Sequence, residues 1–304
     1  MSLDYKCPQQ VFQANPLVTM NTIAKQIRRT IPFTTMDMFD RPLDQINDEV
    51  GKEHILRCHG GWCTSVNPFT KSLLDHLGYR TQDILASIPG MSHDTHIATI
   101  VWDASHPGSC HLVDPGVRRP FLQAISLDFE KESPIYKCHY ARYKFFKEDG
   151  DKVLWSIQPS NRIIQKLSKD ESITDLSGQK WQVLLRYNLR KPMARYHINK
   201  YWQMLLHGNK PVPPGVDGLV FCAFKNDYVV EINATREKIV VNIFDEDSQV
   251  ERMKMTSEEL IRFFITYFPN YPMEMLINAV KADFSWLPVE MIDKYDIGKQ
   301  SLAV

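Results

Sequence analysis

The chain has 304 residues, of which 36 are Lys or Arg, 36 are Asp or Glu and 43% are hydrophobic, so its formal net charge is zero. A chain of this length supports one large domain or two to three lobes around a shared core, and it folds without needing a disulfide or a structural metal. The zero net charge argues against a protein whose main task is to bind nucleic acid or an anionic membrane, because both need a concentrated positive field.

Cysteine usage and the absence of targeting patterns point to a reducing compartment. The cysteines have no repeating spacing, which is unlike a disulfide scaffold. They are Cys7, Cys58, Cys63, Cys110, Cys138 and Cys222. Residues 1–10 lack the pattern of a secretory signal, and no window of about 18 apolar residues is present to span a membrane. We therefore expect a cytoplasmic protein with free thiols, one of which is chemically active.

Two helices are predicted in the first third of the chain. Apolar residues recur at helical spacing between Pro16 and Arg29. The pattern stops at Ile31-Pro32-Phe33, because proline disfavours a helix at the residue before it. A second helix is predicted from about Asn67 to Leu77, and Gly78 is its stop signal.

From about Tyr79 the pattern changes to that of β-strands. Thr95–Trp102 is rich in β-branched residues, and a turn before Cys110–Asp114 completes a predicted hairpin. The predicted elements occur in the order helices, many short strands and then a mixed region. This order indicates an α+β fold and argues against a doubly wound parallel sheet. Further strands are predicted at Lys137–Phe146, Lys152–Gln158, Trp181–Tyr187, Val216–Phe224, Tyr228–Asn233 and Lys238–Phe244, and a capped helix at Ser257–Phe268.

The segment most informative about chemistry is Arg57-Cys58-His59-Gly60-Gly61-Trp62-Cys63. A cysteine at a helix start meets unpaired N–H groups and the positive end of the helix dipole, and both favour the thiolate. Gly60-Gly61 lets the backbone turn tightly or lets a ligand approach closely. The alternative is that Cys63 is a small buried residue after a Gly-Gly turn.

A thiolate nucleophile needs a basic or cationic partner, and that partner needs an orienting group. His96 lies at the start of a predicted strand and Asp114 at the end of its hairpin partner, so the hairpin can place the two side by side. Taken alone, His96 is better explained as a core histidine, and Asp114 is still better explained as a turn residue before Pro115-Gly116. A zinc site is a further alternative, built from Cys58, His59, Cys63, His93 and His96.

Several motifs together resemble the arylamine N-acetyltransferase family. The resemblance rests on His59-Gly60-Gly61-Trp62-Cys63, Asn67, Leu77-Gly78-Tyr79, Thr95-His96 and Val113-Asp114-Pro115-Gly116, in the family's order and near its spacing. It is strongest from about Ile31 to Gly116, with a weaker echo between Trp181 and Tyr201 that includes Asn199.

The resemblance implies a three-domain fold with a cysteine-protease-like core. An N-terminal helical bundle (residues 1–78) would carry Cys63, a central β-barrel (79–188) would carry His96 and Asp114, and an α/β lid with a tail (189–304) would follow. It implies ping-pong chemistry, in which the Cys63 thiolate takes an acyl group from acetyl-coenzyme A and passes it to an amine. No tightly bound cofactor and no metal are implied, and the partners are a small-molecule acyl donor and an amine acceptor.

The surroundings of the triad depart from the family pattern. His59 replaces the family's Arg before Gly-Gly, while Val117 and Arg118 replace a Phe and a Gly after the aspartate motif. The added charge of Arg118 would favour an anionic acyl group or acceptor. Arg118 and Arg119 are candidates for binding the phosphates of coenzyme A. Phe33, Trp62, Asn67 and Val117 are the candidates for lining the substrate pocket.

These departures keep two other functions open. An amide synthase or a hydrolase of a thioester-bound metabolite would use the same Cys63, His96 and Asp114. A non-catalytic or zinc-binding module would use the scaffold without the chemistry, but it would not need to retain three separated triad residues.

Overall fold

The computed structural model describes residues 15–36, 48–89, 94–119, 121–149, 151–158, 171–192, 219–235 and 238–283. Those segments contain five helices and fourteen strands. The helices are α1 (Pro16–Thr30), α2 (Asp48–Leu56), α3 (Cys63–His76), α4 (Ser257–Tyr267) and α5 (Met273–Asp283). In the described segments, no helix has the length and apolar character needed to cross a membrane.

The strands form two antiparallel sheets. Their bounds are β1 (Phe33–Thr34), β2 (Arg80–Ser87), β3 (His96–Trp102), β4 (Cys110–Val113), β5 (Ile125–Ser126), β6 (Tyr136–Cys138), β7 (Ala141–Glu148), β8 (Lys152–Ile157), β9 (Ser172–Thr174), β10 (Lys180–Pro192), β11 (Leu219–Lys225), β12 (Tyr228–Thr235), β13 (Lys238–Phe244) and β14 (Gln249–Met255).

The larger sheet has nine strands in the order β5-β4-β3-β2-β10-β8-β7-β6, and β9 also pairs with β10. Its core contains Phe145, Trp155 and Tyr187, each fully buried. Among the described residues the edge strands β5 and β6 do not pair with each other, so the sheet is a curled half-barrel. The central β-barrel that the resemblance implied takes this open, half-barrel form, because neither two- to three-residue edge strand is long enough to close it.

The smaller sheet has five strands in the order β1-β11-β12-β13-β14. Helices α4 and α5 bury their apolar residues against it, with Phe221 and Phe264 at 0% exposure in the shared core. Helix α4 begins as the sequence predicts: the Thr256 hydroxyl accepts from the Glu259 N–H, and the Glu259 carboxylate accepts from the Thr256 N–H. This sheet and its two helices correspond to the α/β lid that the resemblance implied for residues 189–304.

Strand β1 connects the N-terminal part of the chain to the smaller sheet. Phe33 pairs with Cys222, and Thr34 pairs with Phe221 on β11. Residues 1–78, which were expected to form a helical bundle, therefore also contribute a strand to the smaller sheet. The domain boundaries at 78/79 and 188/189 stay predictions.

One predicted strand is in fact a hairpin. Lys137–Phe146 divides into β6 and β7, which pair around the two residues His139 and Tyr140. His139 makes the turn with φ of 50°, in the left-handed region that glycine or asparagine usually occupies. A turn without either residue gives no signal in the sequence, so the two strands appear as one.

Other sequence predictions agree in position and differ in extent. The predicted strand at Trp181–Tyr187 is the centre of the longer β10, and the one predicted from Val216 is described from Leu219 onward. The start of that strand, the resemblance at Asn199, and Cys7 and His93 lie outside the described residues.

Candidate active site

Cys63 is the first residue of α3, four residues before the predicted helix start. The helix begins earlier because Ser65 caps it: the Trp62 N–H donates to the Ser65 hydroxyl, which donates to the Trp62 carbonyl, both at 3.2 Å. Pro68 lies inside the helix, in its first turns. The first N–H groups of a helix have no intrahelical partner, so the dipole of α3 favours a negative charge at Cys63.

The Gly60-Gly61 pair accommodates a neighbouring chain segment. The Gly61 N–H donates to the Pro32 carbonyl at 3.1 Å, and the Gly61 carbonyl accepts from the Thr34 N–H at 3.0 Å. Gly60 has φ of 112°, and a Cβ there would stand 2.8 Å from the Pro32 carbonyl oxygen. Glycine is therefore required at position 60, and the close approach holds Phe33 beside the loop that leads into Cys63.

His96 and Asp114 form a buried hydrogen-bonded pair. His96 opens β3 and Asp114 directly follows β4, and these strands are the two arms of the predicted hairpin. The distance from His96 Nε2 to Asp114 Oδ2 is 2.7 Å, and the side chains are 8% and 0% exposed. The pairing that the sequence suggested is present in the structure.

The register of the larger sheet brings a third residue to this pair. Tyr187 on β10 stands opposite Ala86 on β2, and Ala86 stands opposite His96 on β3. Residues in one cross-strand row share a face of the sheet, so the rings of Tyr187 and His96 flank the small Ala86 side chain. The Tyr187 hydroxyl donates to Asp114 Oδ2 at 2.8 Å.

Asn67 fixes the other oxygen of Asp114. Its side-chain amide donates to Asp114 Oδ1 at 2.8 Å and to the Ile97 carbonyl at 2.5 Å, while its oxygen accepts from the Gly116 N–H at 2.9 Å. Asn67 lies four residues after Cys63 and so shares its face of α3. The sequence suggested Asn67 as a pocket residue, but its amide is fully engaged in positioning Asp114.

The surroundings of His96 favour its protonated form. Burial lowers the pKa of the ring, but the Asp114 carboxylate and the Cys63 sulfur, both within interaction range, together raise it to about 10. A cationic imidazole beside Cys63 would stabilise a thiolate there, and such an ion pair is the activated state of a cysteine nucleophile.

Arg118 and Arg119 converge on a buried carboxylate of the smaller sheet. Arg119 donates to Glu231 on β12 at 3.1 Å, and Arg118 Nη2 lies 3.5 Å from Glu231 and 2.6 Å from Asn233 Oδ1. The sequence suggested that Arg118 faces an anionic substrate, and the geometry gives its guanidinium these protein partners instead. Binding of coenzyme A phosphates by the two arginines stays a prediction.

The remaining pocket candidates differ in position. Phe33 is half-buried on β1 beside Gly61, and Trp62 is 2% exposed at the start of α3. Val117 is 8% exposed and packs in the core of the larger sheet. The Val117 side chain, which is shorter than the Phe of the family pattern, is therefore surrounded by protein. Whether Phe33 and Trp62 contact a substrate stays a prediction.

Two contributors to the region were missed by the sequence analysis. Tyr187 had no signal beyond its place in a strand. Arg28 is 1% exposed on α1 and donates to the Cys222 carbonyl at 3.2 Å and to the Arg118 carbonyl at 2.9 Å. An arginine in a helix with an apolar face is ordinarily a surface residue, so only the fold shows that it joins three segments.

The zinc alternative lacks support in the described part of the chain. There, no group of three or more His, Cys, Asp or Glu side chains is arranged to hold a metal ion. Cys58 is exposed, whereas Cys63 is buried next to His96. His93, the fifth proposed ligand, is not among the described residues.

Sequence comparisons show which known proteins the chain is similar to. The sequence model of the N-acetyltransferase family matches residues 16–184, more than half of the chain. Human arylamine N-acetyltransferase 1 is 26% identical over 132 residues. That alignment covers 40% of this chain and 44% of the human protein, so it spans less than half of the relative's length.

Solved structures share the fold at low sequence identity. The arylamine N-acetyltransferase from Salmonella typhimurium has a TM-score of 0.64 at 13% identity, covering 91% of this chain and 99% of its own. That from Bacillus cereus, described as having a unique Cys-His-Glu catalytic triad, has a TM-score of 0.60 at 14% identity, covering 86% and 98%. Identities this low establish the common fold.

Replacing Tyr187 with Phe should destabilise the protein by about 1.5–3 kcal/mol, because it removes a hydrogen bond to a buried carboxylate and leaves the ring in place. The free energy of unfolding measured by urea titration tests this. Tyr228→Phe is the control, since Tyr228 is 45% exposed and a surface change should have little effect. Equal stability of the two variants would show that the Tyr187 hydroxyl does not support Asp114.

Alkylation by iodoacetamide should be fast at Cys63 and nearly independent of pH between 6 and 8, because the raised pKa of His96 keeps its ring cationic throughout. Burial raises the pKa of Cys110 and of Cys138 to about 12, so those thiols should react slowly. Peptide mass spectrometry measures each site, and exposed Cys58 is the internal control. A rate at Cys63 that climbs about tenfold per pH unit would contradict the ion pair.

Proposed function

The chain belongs to the arylamine N-acetyltransferase family, and on that premise we propose that it transfers an acetyl group from acetyl-coenzyme A to an amine through an acyl-Cys63 intermediate. The observation that carries the proposal is the arrangement of Cys63 at the start of α3 beside the hydrogen-bonded pair of His96 and Asp114. Family membership supports the transferase class, and the residue roles below are the proposal's own.

In the first half-reaction the Cys63 thiolate attacks the thioester carbonyl of the donor. The carbon–sulfur bond of the donor then breaks, and His96 gives its proton to the departing coenzyme A thiolate. The products are acetyl-Cys63, free coenzyme A and a neutral imidazole. The positive end of the α3 dipole favours the negative charge that develops on the carbonyl oxygen.

In the second half-reaction the amine attacks the acetyl-Cys63 carbonyl. Neutral His96 accepts the proton that the amine loses, and the Cys63 thiolate leaves as the new amide forms. The ion pair is thereby restored, and two reactions with one bound substrate each replace a collision of three groups.

Asp114 keeps the imidazole in the orientation that both steps need. Its carboxylate accepts from His96 Nε2, which leaves the other ring nitrogen for Cys63, and it stabilises the imidazolium. Asn67 and Tyr187 are positioning residues that act through Asp114. No contact among the described residues favours an amide synthase, a thioester hydrolase or a zinc-binding module over acetyl transfer.

Incubation with acetyl-coenzyme A should add one acetyl group to the intact protein, located at Cys63 by peptide mass spectrometry. Cys63→Ala should gain none, because the site then lacks the thiol that forms the thioester. Asp114→Asn should fold and acylate about 10³- to 10⁴-fold more slowly, because the amide favours the wrong imidazole tautomer.

Cys58→Ser is the matched control for acylation, since it removes an exposed thiol outside the site. It should acylate at the wild-type rate. Acylation that persists in Cys63→Ala, or a His96→Gln variant that acylates at the wild-type rate, would refute the assigned roles.

A further inference from the structure

A groove of about 650 Å³ lies between α2, α3 and β2, on a part of the protein that the proposed reaction does not use. Ser65 and Ser72 line it, and they stand about half a turn around α3 from Cys63 and Asn67. None of the three triad residues lines the groove. Its volume is within the range of small-molecule sites in proteins.

A buried carboxylate lines this groove. Asp83 on β2 is 7% exposed, and its neighbour Ile84 is in the core of the larger sheet. Because side chains alternate along a strand, Asp83 lies on the opposite face of the sheet, against which α3 packs. Burial raises the pKa of Asp83 to about 6, so the carboxylate is ionised above neutral pH.

The Asp83 carboxylate has only part of the hydrogen bonding that a buried charge needs. Oδ1 accepts from the Thr99 hydroxyl at 2.8 Å. No group among the described residues donates to Oδ2, and those residues do not fully enclose that oxygen. An ionised carboxylate can accept about four hydrogen bonds, and burying one with few partners is costly. Oδ2 is therefore an acceptor that a molecule in the groove can reach.

The charged groups near Asp83 do not neutralise it. Lys71 on α3 is paired with Asp75, one turn further along the same helix, and Asp75 also accepts from the Thr81 hydroxyl. Lys71 lowers the pKa of Asp83 and Asp75 raises it, so their effects oppose each other. Within the described segments no ion pair includes Asp83, which leaves its charge for a cation from solution.

The rest of the groove favours an organic ammonium group over a metal ion. Pro68, Phe69 and Leu73 supply apolar surface, and the last two are half-buried. A metal ion in an oxygen site needs several protein ligands, and in the part of the chain described no group of three or more His, Cys, Asp or Glu is placed to supply them. An ammonium group can donate to a single carboxylate, and its apolar body can use the neighbouring surface.

We propose that this groove binds a primary arylalkylamine in its ammonium form. The ammonium group donates to Asp83 Oδ2, and the ring lies against Pro68 and Phe69. The site is separate from the acetyl-transfer site and does not depend on the proposed reaction.

The contact with Asp83 is tested by isothermal titration at pH 8 of 2-phenylethylamine and its uncharged analogue 2-phenylethanol. Wild type should bind the amine at least about tenfold more tightly, and in Asp83→Asn the ratio should fall to about one. The asparagine can still accept from Thr99 and carries no buried charge, so the melting temperature should not fall. Glu49→Gln, which changes an exposed acid on the rim of the same groove, should keep the wild-type ratio.

The apolar contact is tested with methylamine, which keeps the ammonium group and lacks the ring. Methylamine should bind wild type about tenfold more weakly than 2-phenylethylamine, because it leaves the apolar surface of the groove uncovered. Equal affinities of the two amines would show that the ring does not lie in the groove and would contradict the proposal.

Three further results would overturn the proposal. The first is the absence of saturable binding of 2-phenylethylamine at millimolar concentrations. The second is an Asp83→Asn variant that keeps the preference for the amine, or a Glu49→Gln variant that loses it. The third is protection of Cys63 from alkylation by 2-phenylethylamine, equal in wild type and Asp83→Asn, which would place the amine at the triad. None of these measurements requires acetyl transfer, so a failure of the proposed function would not affect them.

Discussion

The fully buried carboxylate of Asp114 is the group on which the candidate active site depends. A buried charge costs several kcal/mol unless hydrogen bonds replace its hydration. Asp114 receives those bonds from His96 on β3, Asn67 on α3 and Tyr187 on β10. The three donors come from separate elements, so the carboxylate is stable only where the helix and both strands are in place, and the imidazole is oriented in the same assembly.

A second buried carboxylate joins the two sheets. Glu231 on β12 is 2% exposed and accepts from Arg118, Arg119 and Tyr140, which belong to the loop after Asp114 and to the β6–β7 turn. Burial acts to raise the pKa of Glu231, but the two guanidinium groups lower it below its ordinary value. The ionised carboxylate therefore anchors the loop after Asp114 to the smaller sheet, so the position of Asp114 depends on both sheets.

The sequence predicts the triad because its members lie at ends of locally defined elements. Cys63 precedes an apolar helical pattern, and His96 and Asp114 end the two arms of one hairpin. Tyr187 is 73 residues from Asp114 along the chain, and only the pairing of β10 with β2 and of β2 with β3 brings it close. The contact between Arg118 and Glu231 could not be predicted from the sequence either, because Glu231 lies 113 residues further along the chain and on the other sheet. Local patterns predict elements and their ends, whereas these contacts are set by strand register.

The central physical claim is that Asp114 and Cys63 hold a proton on His96 at neutral pH. It is tested most directly by ¹⁵N NMR of the His96 ring between pH 6 and 8, in wild type and in Asp114→Asn. We predict that both ring nitrogens of the wild type stay protonated across this range, and that Asp114→Asn is largely neutral at pH 7. A wild-type ring that titrates near the ordinary histidine pKa of about 6.5, with no change in Asp114→Asn, would contradict the account.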